Sequence, residues 1–324
     1  MSQEKNRSLS NTISRNVIVP DLYAGQRIDK VLCQLFSDYS RSQLQRWLKQ
    51  GKILVNDSKK QAKKRVVGGE KIYLNVILES LNIWQAQPIP LDIIHEDDDI
   101  IVINKPDNLV VHPGAGNLSD TLFNGLLFYN RGLYSVPRAG IVHRLDKDTS
   151  GLMVVAKNLI AHTSLVRQLS LHQVTREYEA IVTGCIYHDR TIKTKMARNP
   201  RNRLKMAVTL MGKTAITHVK ILDNYRLHTR LRCFLETGKT HQIRVHMHYI
   251  NNPLLGDPLY NSRYKTSRLL PKALQKILKS FRRQALHSYK LSFFHPTTLK
   301  PMCFKKEPPY DMRILKQALK NDTN

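Results

Sequence analysis

The sequence is poor in cysteine and contains no long apolar run. Four cysteines stand far apart among 324 residues, at Cys33, Cys185, Cys233 and Cys303. This spacing excludes a zinc finger, whose ligands come in close pairs, and predicts buried, unpaired thiols in a reducing compartment. No apolar stretch reaches the roughly 18 residues that a membrane span needs, and residues 1–15 are too polar for a signal peptide. We therefore expect a cytoplasmic protein that does not bind a membrane.

Acidic residues are also scarce. The chain has 52 Lys and Arg against 25 Asp and Glu, which gives a formal charge of +27. No acid occurs in residues 191–222, which hold eight Lys or Arg, or in residues 258–306, which hold 12. This excess favours a polyanionic partner, nucleic acid before an anionic membrane. Compositional drift toward Lys is the alternative, and the clustering of the cations argues against it.

Composition divides the chain into four segments. We expect a disordered tail over residues 1–15, a small domain over 16–78, a linker over 79–90 and a main domain over 91–324. The tail is polar, and two prolines in the linker oppose regular structure. A chain of this length is sufficient for about two domains.

The small domain has a pattern of two helices followed by strands. Apolar spacing predicts a helix over 26–36 and a second over 41–50, for which Ser40 is a candidate N-cap. Apolar segments at 53–55 and 71–74 predict two strands. The two helices, a Leu-Val-Asn strand and a Gly-Gly-Glu turn resemble the S4 RNA-binding domain.

The main domain alternates β-branched segments with helical ones. Helical spacing predicts helices over 161–171 and 271–282. Strands are predicted at 93–94, 100–103, 109–111, 178–182, 215–222 and 228–235. Together these elements predict an α+β domain built on a large mixed β-sheet.

One segment carries most of the functional information. Residues 140–151 read Gly-Ile-Val-His-Arg-Leu-Asp-Lys-Asp-Thr-Ser-Gly, and an apolar run follows at 152–156. Strand alternation would place Arg144 and Asp146 on one face, at the point where the element ends. By itself, an Arg-x-Asp pair is typical of a solvated ion pair.

The sequence of this segment resembles that of a known family. His-Arg-Leu-Asp followed by Asp-Thr-Ser-Gly is similar to the signature of the RluA-type pseudouridine synthases, which isomerise uridine in RNA. Further family segments occur in the same order: Asn-Lys-Pro at 104–106, His-Pro-Gly at 112–114, Arg-Glu-Tyr at 176–178, Glu-Thr-Gly-Lys-Thr-His-Gln-Ile-Arg at 236–244, and Gly-Asp with a later Tyr at 256–260. The resemblance implies an α+β catalytic domain with a mixed sheet, preceded by an S4-like RNA-binding domain. It also implies a monomer that needs neither a cofactor nor a metal.

The resemblance assigns roles to four residues. It implies that Asp146 is the catalytic carboxylate, and leaves open whether it attacks C1′ or abstracts the 2′-proton. Arg144 would enter the RNA in place of the flipped uridine; the alternative is an ion pair with Asp146 or Asp148. Tyr178 would stack on the target base, the alternative being a core tyrosine. Arg244 would pair with Asp146 and hold its orientation.

Three other residue assignments concern the same motifs. Arg176 is given no role, because the family often has Lys at this place. Thr240 is a candidate N-cap for a helix with an apolar stripe. That stripe consists of Ile243, Met247 and Ile250. A metal site made by His241, His246 and His248 is the alternative, but the run lacks a His-Glu-x-x-His pattern.

The favoured function is isomerisation of uridine to pseudouridine in 23S ribosomal RNA or its precursor. The resemblance implies the clustered uridines of the helix 69 hairpin as the target. A non-catalytic RNA-binding factor in ribosome assembly is the alternative, and it would not need Asp146, Tyr178 and Arg244 together. A glycosidase is a third interpretation, but only one carboxylate carries a motif and the charge does not suit a neutral glycan.

Overall fold

The computed structural model describes residues 11–36, 39, 41–78, 85–114, 116–262, 264 and 266–322. The chain divides into two units, Met1–Asn82 and Ile83–Asn324, each with its own hydrophobic core. Among the described helices, none has the length and apolar character that crossing a bilayer requires. The boundaries expected at 16–78 and 91–324 stay predictions, and residues 79–84 of the expected linker lie outside the described residues.

Within its described residues, the N-terminal unit has three strands and two α-helices. They are β1 (Asn11–Ile18), α1 (Ile28–Leu35), α2 (Arg41–Gln50), β2 (Ile53–Val55) and β3 (Lys71–Leu78). The strands form an antiparallel sheet in the order β1-β3-β2. Val31 and Leu32 of α1 and Leu44 and Leu48 of α2 are buried in one core with β2 and β3. Both predicted helices and both predicted strands are confirmed, although β3 extends beyond the predicted 71–74.

The expected disordered tail is wrong for residues 11–15. These residues belong to β1, in which Arg15 lies opposite Leu74 of β3. Their polar composition was misleading because an edge strand pairs through its backbone, which polar side chains permit. Residues 1–10 and the candidate N-cap Ser40 lie outside the described residues.

The C-terminal unit is built on one large sheet. Its strands are β4 (Ile93–Glu96), β5 (Ile100–Lys105), β6 (Ser150–Ala156), β7 (Thr175–Thr183), β8 (Arg190–Arg198), β9 (Met206–Val208), β10 (Lys213–Asn224), β11 (His228–Leu235), β12 (Leu286–Phe294) and β13 (Pro301–Lys305). Their order is β4-β5-β6-β12-β7-β11-β10-β8-β9, with β13 also beside β12. The β6–β12 pair is parallel and the other described pairs are antiparallel. The predicted α+β fold with a mixed sheet is therefore confirmed.

Helices cover both faces of this sheet. They are α3 (Leu122–Tyr129), α4 (Leu159–Ser170), α5 (Gln242–Tyr249), α6 (Lys272–Ser280) and α7 (Tyr310–Asn321). Ile101 and Ile103 of β5 pack in the same core as residues of α3 and α5, whereas Ile100 and Val102 pack with α4. Successive residues of a strand point to opposite faces. A strand buried on both faces therefore has an uninterrupted apolar sequence, as residues 100–103 of β5 do.

One expectation about this unit is wrong, and one buried helix was not predicted. Residues 109–111 form no strand, and only an isolated bridge joins Val110 to Thr121. Helix α3 has no counterpart among the predicted elements, because its residues 122–127 are all buried. A helix that is buried on every side lacks the 3.6-residue alternation by which a surface helix is recognised.

The acid-free segment 191–222 lies at one end of the sheet. It contains most of β8 and β10 and all of β9, and residues 199–205 form the loop between β8 and β9. Arg198, Arg201 and Arg203 are exposed there. Charged edge strands of this kind are also protected against pairing with another sheet.

The four cysteines differ in exposure. Cys233 is buried, Cys33 and Cys185 are half-buried, and Cys303 is exposed. The expectation that all are buried is therefore correct for Cys233 alone. Cys303 lies in β13, in which alternate residues face solvent, and strand alternation places its thiol on that face.

Candidate active site

An open cleft of about 970 Å³ lies in the C-terminal unit. Four residues singled out by the motifs line it together: Arg144, Asp146, Tyr178 and Arg244. They come from the segment before β6, from β7 and from α5. The volume is typical of ligand sites in proteins. The motifs gave only the order of these residues along the chain, and the fold brings them together in one cleft.

The segment that carries Asp146 is irregular. Residues 142–149 lie outside any strand. The backbone N–H of Val154 donates to Nε2 of His143 at 3.1 Å and so fastens the segment to β6. Burial lowers the pKa of His143 to about 3, so the ring is neutral, and the Val154 N–H that points at Nε2 makes this the nitrogen without a proton. The expected strand alternation is wrong, because His143 and Leu145 line the cleft together with Asp146.

Arg244 binds two carboxylates at once. Its Nη1 donates to Oδ2 of Asp146 at 2.9 Å, and its Nε and Nη2 donate to Oδ2 and Oδ1 of Asp257 at 2.7 and 2.9 Å. The Arg244 side chain is 5% exposed, and that of Asp146 is 17% exposed. Burial alone would lower the pKa of Arg244, but the hydrogen bonds and charges of Asp257 and Asp146 raise it. The guanidinium therefore stays charged and sets the direction of the Asp146 carboxylate.

Asp257 is a site residue to which the motifs assigned no role. Its Oδ1 also accepts from the backbone N–H groups of Leu259 and Tyr260 at 2.9 and 3.0 Å. The preceding Gly256 has a φ of +72°, a conformation that favours glycine. The Gly-Asp motif at 256–257 located Asp257 in the sequence but did not show what it binds.

The start of α5 differs from the expectation. His241 adopts a left-handed conformation with a φ of +56°, and no side chain caps the helix from that position. Oε1 of Gln242 instead accepts from Lys239 N at 3.0 Å and from Thr237 Oγ1 at 2.7 Å. The predicted N-cap at Thr240 is therefore wrong, because a side chain from within the first turn binds the preceding loop.

His241 extends the network around Asp146. Its Nδ1 lies 2.9 Å from the hydroxyl of Tyr260, and its Nε2 lies 3.9 Å from Oδ1 of Asp146. Burial lowers the pKa of His241, although the charge of Asp146 opposes this effect. The ring is therefore neutral at pH 7 and donates or accepts a hydrogen bond without adding charge.

The alternative metal site does not form. Nε2 and Nδ1 of His246 lie 3.0 and 2.8 Å from the hydroxyls of Thr194 and Thr217, so both ring nitrogens are occupied. Among the described residues, no three His, Cys, Asp or Glu side chains are placed to hold a metal ion. The predicted apolar stripe on α5 is confirmed, since Ile243 and Met247 are buried in the main core and Ile250 packs against it.

Tyr178 and Arg144 lie in contrasting surroundings. Tyr178 is 6% exposed, belongs to the main core and lines the cleft. Burial raises the pKa of its phenol, which is therefore neutral. Arg144 is exposed, and the described part of the chain contains no ion pair between it and Asp146 or Asp148. Its guanidinium is available to a ligand.

Comparisons with known proteins settle the family. A family model for RNA pseudouridylate synthases matches residues 99–249, and a model for the S4 domain matches residues 26–72. Ribosomal large subunit pseudouridine synthase D of Vibrio cholerae serotype O1 is 48% identical over 315 residues, which cover 97% of each chain. The chain belongs to the RNA pseudouridylate synthase family.

Other relatives agree with this assignment. Ribosomal large subunit pseudouridine synthase D of Escherichia coli strain K12 is 46% identical over 97% of this chain and 95% of its own. Two human structures, RNA Pseudouridylate Synthase Domain Containing 1 and 4, each have a TM-score of 0.55 and 23% identity. They cover 72% and 71% of this chain and 89% and 93% of their own, and share its fold. The protein is an RNA pseudouridine synthase with an N-terminal S4 domain.

The synthase also buries a lysine beside the Asp146 segment. Lys105, at the end of β5, is 1% exposed, and its Nζ donates to the carbonyl oxygens of Leu109 and Lys147 at 2.9 Å each. Burial lowers the pKa of Lys105 to about 7, against the charges of nearby carboxylates. Because Lys147 follows Asp146, this contact ties the site segment to β5. The Asn-Lys-Pro motif located the lysine but gave it no role.

Proposed function

We propose that this synthase converts uridine to pseudouridine in 23S ribosomal RNA, and that the reaction depends on Asp146. The observation that carries the proposal is the hydrogen-bonded series Asp146–Arg244–Asp257 at the wall of a cleft that Tyr178 also lines. A non-catalytic RNA-binding protein has no use for a carboxylate oriented in this way. The relatives named as ribosomal large subunit pseudouridine synthases support the choice of RNA.

The reaction breaks the N1–C1′ bond of uridine, turns the uracil and joins C5 to C1′. Asp146 is 17% exposed, so its carboxylate is open to the cleft while Arg244 holds one oxygen. A carboxylate at this place can form a bond to C1′, or stabilise positive charge there. It can also abstract the 2′-proton. Arg244 holds the Asp146 carboxylate in a fixed direction in each case.

Tyr178 and Arg144 are proposed to hold the flipped nucleotide and the RNA. An enzyme that acts on a base must take it out of the stack, which leaves a gap in the RNA. Tyr178 offers a neutral aromatic ring at the cleft surface, on which the uracil stacks. Arg144 is exposed two residues before Asp146, which supports the proposal that it fills the gap.

The proposed target is the group of uridines in the helix 69 hairpin, as the motif resemblance implies. Tritium release from C5-labelled uridine in large-subunit RNA, followed by mapping of the modified positions, tests this. Release that maps to helix 69 is expected, and release that maps elsewhere would remove the hairpin from the proposal. Binding without any release would favour the non-catalytic factor.

Asp146→Asn should abolish tritium release and leave RNA affinity nearly unchanged, because phosphate contacts supply most of the affinity. Asp98→Asn is the matched control, since Asp98 is an exposed carboxylate outside the cleft. Turnover by purified Asp146→Asn protein well above background would defeat the assignment.

A further inference from the structure

Arg176 is a buried cation that the mechanism above does not use. It lies in β7 and is 8% exposed. Its Nε is fully buried and has no hydrogen-bond partner, and the described residues provide no carboxylate that pairs with its guanidinium. Arginine stays protonated in proteins. An unpaired buried charge is costly, so a fold retains one when a bound group compensates it.

The guanidinium faces the cleft. Arg176 and Tyr178 are two residues apart in β7, so strand alternation puts both on the same face, and both line the cleft. Nη1 of Arg176 lies against Gly238. If residue 238 had a Cβ atom, that atom would lie 2.5 Å from Nη1, which is too close. Gly238 therefore leaves the space that the guanidinium occupies. Glu177, between the two, pairs instead with Lys290 at 2.7 Å.

The other cations that line the cleft differ from Arg176. Arg244 is committed to Asp146 and Asp257. Arg138 and Arg144 are exposed, and so are placed for phosphates at the rim, and Lys239 is only half-buried. Among the described residues of the cleft, Arg176 alone combines deep burial with a guanidinium that lacks a partner.

We propose that Arg176 donates hydrogen bonds to a carbonyl oxygen of the target uracil and stabilises the uracil anion during glycosidic cleavage. This inference rests on the proposed function, in which Tyr178 stacks on that base. A base stacked on Tyr178 presents its edge, with O2 and O4, to a side chain two residues along the strand. A backbone phosphate stays hydrated and close to the cleft mouth, where the exposed arginines lie.

The chemistry requires such a donor whichever way Asp146 acts. When the N1–C1′ bond breaks, its electron pair goes to N1 and is shared with O2 and O4. C1′ is then either bonded to the Asp146 carboxylate or part of a double bond after loss of the 2′-proton. C5 afterwards forms the bond to C1′, while the Asp146–C1′ bond breaks in the first case or the abstracted proton returns to C2′ in the second. The proton on C5 then leaves and N1 gains a proton, so the isomerisation is balanced. O2 and O4 carry negative charge only after the N1–C1′ bond breaks and before the C5–C1′ bond forms. A fixed donor therefore stabilises this charged state more than it stabilises the bound substrate.

The test combines Arg176→Met with single-atom changes in the RNA. Arg176→Met should slow single-turnover cleavage by about 10²- to 10³-fold, the effect of removing one oxyanion donor, with little change in RNA affinity. Arg176→Lys should recover part of the rate. The melting temperature of Arg176→Met should be unchanged or higher, because an unpaired buried charge is removed.

Replacing O2 or O4 of the target uridine by sulfur weakens one acceptor. The thio substitution at the contacted oxygen should slow the wild type by about tenfold, and Arg176→Met by less than about threefold. Methylphosphonate groups beside the target uridine should affect both proteins equally. Arg138→Gln, which removes an exposed cation from the same cleft, should weaken binding and remain sensitive to the thio substitution.

Each outcome bears on the inference. The inference is overturned if the effect of the Arg176 substitution depends on the phosphate change, or on neither of the two thio changes. If the rate falls in parallel with the melting temperature, Arg176 has a structural role and the inference is also overturned. Gly238→Ala is a second variant, which should displace the guanidinium and reduce the thio effect without removing the charge. If the wild type itself releases no tritium, the proposed function fails; if it does and coupling is absent, only this inference fails.

Discussion

Asp257→Asn is the sharpest test of how the site is held together. Asp257 is 1% exposed and binds Arg244 through both oxygens. An Asn at this position can keep Oδ1 as acceptor for Leu259 and Tyr260, which places its amide nitrogen against Nε of Arg244. The new amide N–H and the Nε–H of Arg244, both donors, then face each other in place of the ion pair at 2.7 Å. The substitution therefore changes charge and leaves shape almost unaltered.

The expected loss is large because the pair is buried. Removing one partner of a buried ion pair costs about 3–5 kcal/mol. For a unit of this size, that loss corresponds to a melting temperature lower by roughly 6–20 °C. Arg244 would also lose its fixed position beside Asp146, and a misplacement of about 1 Å costs on the order of 10²-fold in rate.

Thermal unfolding and single-turnover tritium release, measured on the same preparation below the melting temperature of the variant, separate the two effects. Asp223→Asn is the matched control, because Asp223 also pairs with an arginine, Arg230, at 2.7 Å but its side chain is 45% exposed. An exposed pair contributes less than about 1 kcal/mol, so this control should change little. Asp257→Asn protein with wild-type stability and wild-type turnover would refute the argument.

Acidification should lower stability, because burial lowers the pKa of His228, His246 and His287 to about 4 from 6.5. Between these pH values the unfolded chain binds protons that the folded chain does not. The free energy of unfolding in urea should therefore fall by up to about 1.4 kcal/mol per pH unit for each histidine, and a flat profile would contradict this. Replacing Arg198, Arg201 and Arg203 by Gln should weaken binding of all RNAs alike and reduce the log–log salt slope by roughly 2 to 3. A loss confined to one RNA sequence would exclude this electrostatic role. Deleting residues 1–78 should preserve turnover on a short hairpin and weaken binding to larger RNA. A folded truncation without any turnover would show that the S4 unit is needed for chemistry.

The sequence by itself determined the family and much of the secondary structure. Helix α2 and strand β11 have the predicted bounds, because helical amphipathic spacing and the alternation of apolar and polar residues in a strand are local properties of the chain. The order of the motifs located Asp146, Tyr178 and Arg244, all of which line one cleft. A motif identifies a residue but does not show what that residue contacts. The roles assigned to these three residues therefore came from the family resemblance.

Tertiary structure alone decided how those residues are held. Arg244 meets Asp146 across 98 positions of sequence and also binds Asp257, a contact that no periodicity encodes. The capping at α5 likewise depends on a loop that the Gln242 side chain binds, which is why Thr240 was wrongly favoured. The Arg-Glu-Tyr motif located Arg176 but gave it no role, and only the fold shows that its Nε is buried without a partner. The physical reason is that local spacing fixes the face on which a side chain lies, whereas packing between distant segments fixes its neighbours, its burial and the cost of its charge.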